Sequence, residues 1–261
     1  MLLIVGCSGT NLSQEMRIKK ALKRAYNEDF VVHEIDNDGL DCEVTVSPKY
    51  NTDVVFTAKV LPDGTIENSE YFQEYVNYLL EEILESDIKR FFPDSYVIMR
   101  KTCLRWEGDS SLDFRTMNIE EIMDNSVAYE VDAFSGCYLD IYVNKDVGST
   151  KNYEKEYEFF NEKIDSYIQQ KRMLPVTITI YYVEPNVVER MEEYFKKDAD
   201  RDKIFEKQVL GVDRVERGIV KTGESDLGNP PNITICLKKD KETYVRFDEY
   251  KRRREVLENG R

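Results

Sequence analysis

The sequence predicts an α+β fold, with long amphipathic helices packed on antiparallel sheets in two similar strand–helix–strand modules. Three features lead there. Short runs alternate apolar and polar residues and are joined by turn residues. Two longer runs repeat apolar residues at steps of three and four. The strands come in hairpins rather than in the repeated strand–helix–strand crossovers of a doubly wound sheet. A helix with one apolar stripe and a sheet with one apolar face are natural partners.

The elements follow in order. Residues 12–26 place Ile18, Leu22, Ala25 and Tyr26 on one side and Arg17, Lys19, Lys20, Lys23 and Arg24 largely on the other, an amphipathic helix with a basic outer face. A strand over 30–35 ends at the turn Asp36-Asn-Asp-Gly39. Cys42, Val44 and Val46 then alternate with Glu43 and Thr45. Val54, Phe56, Ala58 and Val60 point inward on the next strand, with Thr57 and Lys59 outward. Pro62-Asp63-Gly64 ends it, proline presetting φ and glycine accepting a positive one. Ser69 caps a helix whose apolar positions run Phe72, Val76, Leu79, Leu80, Ile83, Leu84, Ile88 and Phe91. Pro93 stops it, and 96–104 is a strand.

The second half repeats this order. Asn118–Asn125 reads as a short helix, and Val127, Tyr129, Val131 and Ala133 as a strand face. Cys137, Leu139, Ile141 and Val143 form another. Tyr153, Tyr157, Phe160, Ile164, Tyr167 and Ile168 mark a long helix, and the strand 176–183 follows Pro175. A third helix carries Val188, Met191, Tyr194 and Phe195. Residues 211–223 and 232–238 read as strands around Gly228-Asn-Pro-Pro231, before the basic run Tyr250–Arg254. The polar stretch 105–116 is the expected linker. The expected organisation is therefore a signal remnant and tether over 1–11, a first α+β module over 12–104, and a second over 117–261 with a C-terminal extension. The repeated order suggests a duplication.

Composition narrows the function. The chain has 261 residues, and its 51 acidic against 37 basic side chains leave a net charge of −14. That balance argues against nucleic acid as a partner, since phosphate backbones are held by clustered Lys and Arg. A single histidine, His33, argues against histidine-based catalysis and multi-histidine metal sites. No catalytic residue, cofactor or metal ligand is assigned. His33 lies beside Val31 and Ile35 and reads as a satisfied, half-buried side chain. Asp198, Asp200 and Asp202 resemble the start of a calcium loop, but Lys203 and Val209 occupy positions that need Gly and Glu, so a solvated helix end is expected. Glu81, Glu82, Glu85, Glu154, Glu156 and Glu158 read as outward-facing. Of five cysteines, Cys42 and Cys137 sit on apolar strand faces as small hydrophobes, and no close pair with Cys103 or Cys236 suggests a zinc ribbon. Tyr138, Tyr142 and Tyr181 point away from the Leu139/Ile141 face, either to anchor a protein or glycan partner or to be covered by the other module.

The first ten residues admit three readings. Leu2–Val5 can be a buried strand. With Gly6-Cys-Ser-Gly9 as a loop and the next helix behind it, the same run can cradle a phosphate in a cytoplasmic nucleotide-binding protein, although the Gly-Lys of a P-loop is missing. Third, Ile4-Val5-Gly6-Cys7 resembles the lipobox of bacterial lipoproteins. That resemblance implies cleavage after Gly6 and a diacylglycerol on the Cys7 thiol. Six residues, none basic, precede Cys7, so a start upstream of Met1 is expected if an export signal is to have its basic and apolar regions.

A wider likeness supports the third reading. The run Ala25-Tyr26-Asn27-Glu28-Asp29-Phe30, then Ser47-Pro48-Lys49, Phe56 and Asp63-Gly64 before a Tyr-rich helix, is similar to uncharacterised lipoproteins of Gram-positive bacteria. The family implies a domain anchored by lipid to the outer face of the cell membrane, working as a non-catalytic binding or structural module. An anchored inhibitor or immunity-like protein presenting a sheet face is a further alternative.

Overall fold

The computed structural model describes residues 8–38, 41–102, 104–109, 112–128, 137–144, 152–159, 176–183, 185–196, 212–216, 219–222, 232–237 and 247–259. Helices and largely antiparallel sheets make it an α+β protein. Among these residues the chain forms two compact units, one through Glu74 and one from Tyr75.

The first unit opens with α1 (Ser8–Tyr26), rich in Lys, Arg, Ala and Leu, which favour helix. Lys23 and Arg24 sit in its last turn, where cations complement the helix dipole. Asn27, at φ 56°, turns the chain out of the helix, and its N–H bonds Lys23 O at 2.8 Å. Because α1 starts at Ser8, residues 8–11 are helical rather than tether, and the expected boundary at 12 moves forward. Strands β1 (Phe30–Asp38), β2 (Asp41–Pro48), β3 (Phe56–Val60) and β4 (Ile66–Ser69) then form an antiparallel meander in chain order. Val44, Val46, Phe56, Ala58 and Val60 are buried on one face, with Ile18, Ala21 and Leu22 of α1 also in this unit's core. Each large side chain so buried contributes ~1.5–3 kcal/mol. Ala25, expected inward, is exposed. On the other face Lys59 Nζ reaches Asp41 at 3.1 Å and Glu67 at 2.6 Å, pairs too exposed to contribute much.

The helix α2 (Tyr71–Ile88) carries the chain from one unit to the other. Ser69 Oγ accepts the Tyr71 N–H at 3.2 Å, the cap the sequence suggests. Val76, Leu80, Leu84 and Ile88 are fully buried along it.

In the second unit, β5 (Ser95–Lys101) leads to β6 (Leu104–Trp106), a 3-10 turn at Phe114–Thr116, α3 (Ile119–Asp124) and β7 (Ser126–Ala128). In the predicted linker over 105–116, the described residues include part of β6 and the 3-10 turn. Arg105 and Trp106 pair with Val127 and Ser126, and the Trp106 and Tyr75 rings both meet Phe114 edge-on. Apolar anchors at Trp106 and Phe114 outweigh the polar residues between them. Asn118 and Glu121 close a reciprocal capping box on α3.

A second sheet takes the order β12–β9–β8–β5, from β8 (Cys137–Asn144), β9 (Val176–Val183) and β12 (Asn232–Leu237). Here β8 and β9 are parallel, where the sequence reading expects antiparallel pairing throughout. Parallel neighbours require a long crossover, and α4 (Tyr153–Phe159) lies in it. The two strand–helix–strand runs therefore differ in topology: β4–α2–β5 links two separate sheets, whereas β8–α4–β9 closes within one. Repeated order is not repeated architecture. The helix α5 (Pro185–Lys196) buries Met191. Within 211–223, expected as strand, β10 (Val212–Glu216) and β11 (Ile219–Thr222) pair antiparallel with each other. The basic C-terminal run lies in α6 (Phe247–Asn259).

Candidate functional site

In the first unit the basic face of α1 meets the turn between β3 and β4. The turn is built by Leu61-Pro62-Asp63-Gly64: the Gly64 N–H bonds Leu61 O at 2.9 Å, and Gly64 adopts φ 81°. A left-handed residue closing a tight hairpin turn favours glycine, which has no Cβ to clash. Arg24 Nη2 donates to Gly64 O at 2.8 Å and Arg17 Nη1 to Pro62 O at 3.3 Å. Between them stands Lys20, exposed, with no ion-pair partner among the described residues. Helix and turn enclose an open groove of about 370 Å³ with Ser13 at one end, Ala21 in its wall and Asp63 on its rim. The Asp63 Oδ1 accepts the Thr65 N–H at 2.8 Å, and that bond, with Arg24 nearby, holds its carboxyl below the usual range.

The other cations of α1 are neutralised locally. Lys19 pairs with Glu15 at 2.5 Å and Lys23 with Asp29 at 2.7 Å. The Lys23 ammonium lowers the Asp29 pKa. The groove-side stripe of Arg17, Lys20 and Arg24 sets three positive charges against the one carboxylate of Asp63 near Arg24, because the carbonyls that hold the arginines are neutral.

Next to this stripe lies Cys42, a buried free thiol. Its Sγ accepts from Gln14 Nε2 at 2.9 Å and Arg17 Nη2 at 3.3 Å and donates to Asn37 Oδ1 at 3.3 Å. Below, the rings of Tyr26, Phe30, Phe56 and Tyr71 pack together, Phe56 stacked on Tyr71 at 4.7 Å. The Tyr71 hydroxyl donates to Glu28 Oε1 at 2.6 Å. Burial first, then the Glu28 carboxylate, raises the Tyr71 pKa strongly; burial also raises that of Tyr26.

The second unit buries an ion pair. Arg254 and Glu156 have fully buried side chains, joined at 2.8 Å from Nε to Oε1 and 3.2 Å from Nη2 to Oε2. The Tyr250 hydroxyl donates to Oε1, and the guanidinium lies 5.0 Å from the Phe92 ring centre and 5.4 Å from that of Tyr153. Glu156 is therefore not outward-facing, since α6 covers α4. Glu81, also read as outward, is half-buried and accepts the Met99 N–H at 2.8 Å.

The structure separates the other sequence candidates. Cys7 and Gly6 lie outside the described residues, as do Cys103 and 198–202; so do the side chains of Cys137 and Cys236. Gly9 falls within α1 rather than in a loop, and Leu2–Val5, the first strand of the nucleotide reading, lies outside the described residues. His33 sits at a bulge of β1, exposed, with Nε2 2.8 Å from Ser47 Oγ; that bulge turns it out of the half-buried position expected. Tyr142 and Tyr181 are buried and stacked at 5.1 Å, so they are covered by the fold rather than offered to a partner; Tyr138 is half-buried. Sequence reading found both the basic helix face and the Pro62–Gly64 turn but had no means of placing them together. The Glu156–Arg254 pair left no local signal at all.

No protein-family model matches the sequence, and no curated protein matches it. The fold is similar to the crystal structure of a DUF5037 family protein from Ruminococcus gnavus ATCC 29149. The TM-score is 0.58 at 15% sequence identity, covering 94% of this chain and 99% of that one. The likeness extends over nearly the whole chain and concerns the fold.

Proposed function

We propose that this chain is a non-catalytic binding module held at the outer face of a bacterial cell membrane by a diacylglycerol on Cys7. The observation that carries the reading is the tetrapeptide Ile4-Val5-Gly6-Cys7, which resembles a lipobox. Helix α1 begins at Ser8 and presents a basic face, so the lipid would place a cationic helix directly at the membrane surface. Two acyl chains give stable anchoring where one is marginal. The groups with most chemical potential have structural duties: Glu156 neutralises Arg254, Tyr71 satisfies Glu28, and His33 bonds Ser47.

Expressed from its native reading frame in a Gram-positive host, the protein is expected to incorporate labelled palmitate and to sediment with membranes. Cys7→Ser is expected to abolish both. Label persisting in the Cys7→Ser protein, or never entering the parent, overturns the assignment.

A further inference from the structure

The groove between α1 and the β3–β4 turn concentrates positive charge in a chain whose net charge is −14. Arg17, Lys20 and Arg24 follow one another at helical steps of three and four, so their side chains leave α1 along one stripe. Carbonyl bonds to Pro62 and Gly64 fix the two guanidinium groups without neutralising them. Arg17 Nε is buried with no acceptor among the described residues. Lys20 stands exposed between them, with no ion-pair partner among the described residues. Among the described residues that line the groove the one carboxylate is Asp63, which accepts the Thr65 N–H and offsets part of the charge of Arg24, leaving the stripe net positive. By contrast, Lys19 and Lys23 on the same helix each have an acid of their own.

We propose that this groove binds a phosphate group, as a phosphate ester in solution or in the headgroup of an anionic lipid. Lys20 makes the direct ion contact and the two arginines flank it. Guanidinium groups held in place suit the geometry of phosphate oxygens and lose little freedom on binding. A groove of this size lies within the range of small-ligand sites. The site does not depend on a lipid at Cys7, and its test uses the full chain carrying Cys7→Ser, so the two proposals fail separately.

Three probes are offered to that protein: vesicles of phosphatidylglycerol in phosphatidylcholine, inorganic phosphate, and glycerol phosphate. Sedimentation and calorimetry follow binding. Lys20→Gln is expected to weaken it about fivefold, corresponding to the ~1 kcal/mol a basic residue contributes at an anionic surface. Lys20→Glu is expected to weaken it further and Lys20→Arg to restore it, with thermal unfolding unchanged in all three. Lys155→Glu, the same charge change on α4 of the second unit, is expected to leave binding intact. Vesicle binding alone identifies the source as lipid, and binding of the small phosphates identifies it as a soluble ester. Either result, with the Lys20 dependence, supports the site. Absence of binding to all three probes, or equal weakening by Lys155→Glu, overturns it.

Discussion

On β2 of the first unit, Cys42, Val44 and Val46 are buried, Glu43 between them is exposed and Thr45 is half-buried. On β8 of the second, Leu139, Asp140, Ile141, Tyr142, Val143 and Asn144 are buried in unbroken succession. The strands have the same length, and Cys42-Glu-Val-Thr-Val46 resembles Cys137-Tyr-Leu-Asp-Ile141 in its alternation. Connectivity separates them. β2 belongs to a meander with a solvated face, whereas β8 is an inner strand between antiparallel β5 and parallel β9. A parallel pair brings a crossover helix over the sheet, and both faces then leave water. The buried polar groups differ in the same way. The first unit keeps a neutral phenol on a carboxylate at its edge, and the second encloses a full ion pair.

That contrast can be broken most severely at Arg254. Arg254→Ala leaves the Glu156 carboxylate buried without its counter-ion, for which ~3–5 kcal/mol of destabilisation is expected. Replacing both members with methionine should recover much of the loss, because no charge then remains to desolvate. Chemical denaturation of the single and double variants reads this directly. A fully stable Arg254→Ala would mean that the pair is solvated.

The two strands offer the next test. Ile141→Ala and Tyr142→Ala change adjacent residues on opposite faces of β8, and each is expected to cost about 2–5 kcal/mol. On β2, Val44→Ala should destabilise while its neighbour Glu43→Ala stays within ~0.5 kcal/mol. If Tyr142→Ala were as harmless as Glu43→Ala, β8 would have a solvated face after all.

A pH titration sharpens the comparison further. The folded pKa of Tyr71 and of Tyr26 lies above the unfolded value of 10.0. The stability these phenols contribute is therefore complete below pH ~10 and declines as pH rises, because the unfolded chain ionises first. Both belong to the first unit, so hydrogen exchange in β1–β4 should accelerate as pH rises above ~10. Tyr71→Phe should reduce that sensitivity while lowering stability at neutral pH by about 1–3 kcal/mol, through loss of a donor to Glu28. Equal pH sensitivity of β1–β4 in the parent and in Tyr71→Phe would refute the assignment.

The smallest effects are expected at helix ends, one in each unit. Asn118→Ala removes the side-chain half of the α3 capping box and should cost about 1 kcal/mol. Asn27→Ala puts a less tolerant residue at φ 56° after α1 and should cost about 1 kcal/mol as well. Thermal melts of the two variants would reveal any difference between a cap made by a side chain and one made by the backbone.

Residues near in sequence carried the legible part of this protein. The spacing of Ile18 and Leu22, the alternation of Val44 and Val46 with Glu43, the Pro62–Gly64 turn and the cap at Asn118 each depend on neighbours within a few positions. Such patterns record which face of an element meets water, and they therefore specified the helices, most strands and the α+β class. Pairing partners were another matter. Glu156 and Arg254 are 98 positions apart, and Arg24 and Gly64 are 40 apart. A lone glutamate among exposed-looking neighbours carries no mark of the arginine that will cover it. Nor does an alternating strand say whether its neighbour will run parallel or antiparallel. Those outcomes depend on how well all strands and helices fill one core together and on the entropy of closing the loops between them. The second unit's doubly buried strand, its ion pair and the first unit's cationic groove are therefore products of tertiary structure, assembled from segments whose local chemistry gives no hint of one another.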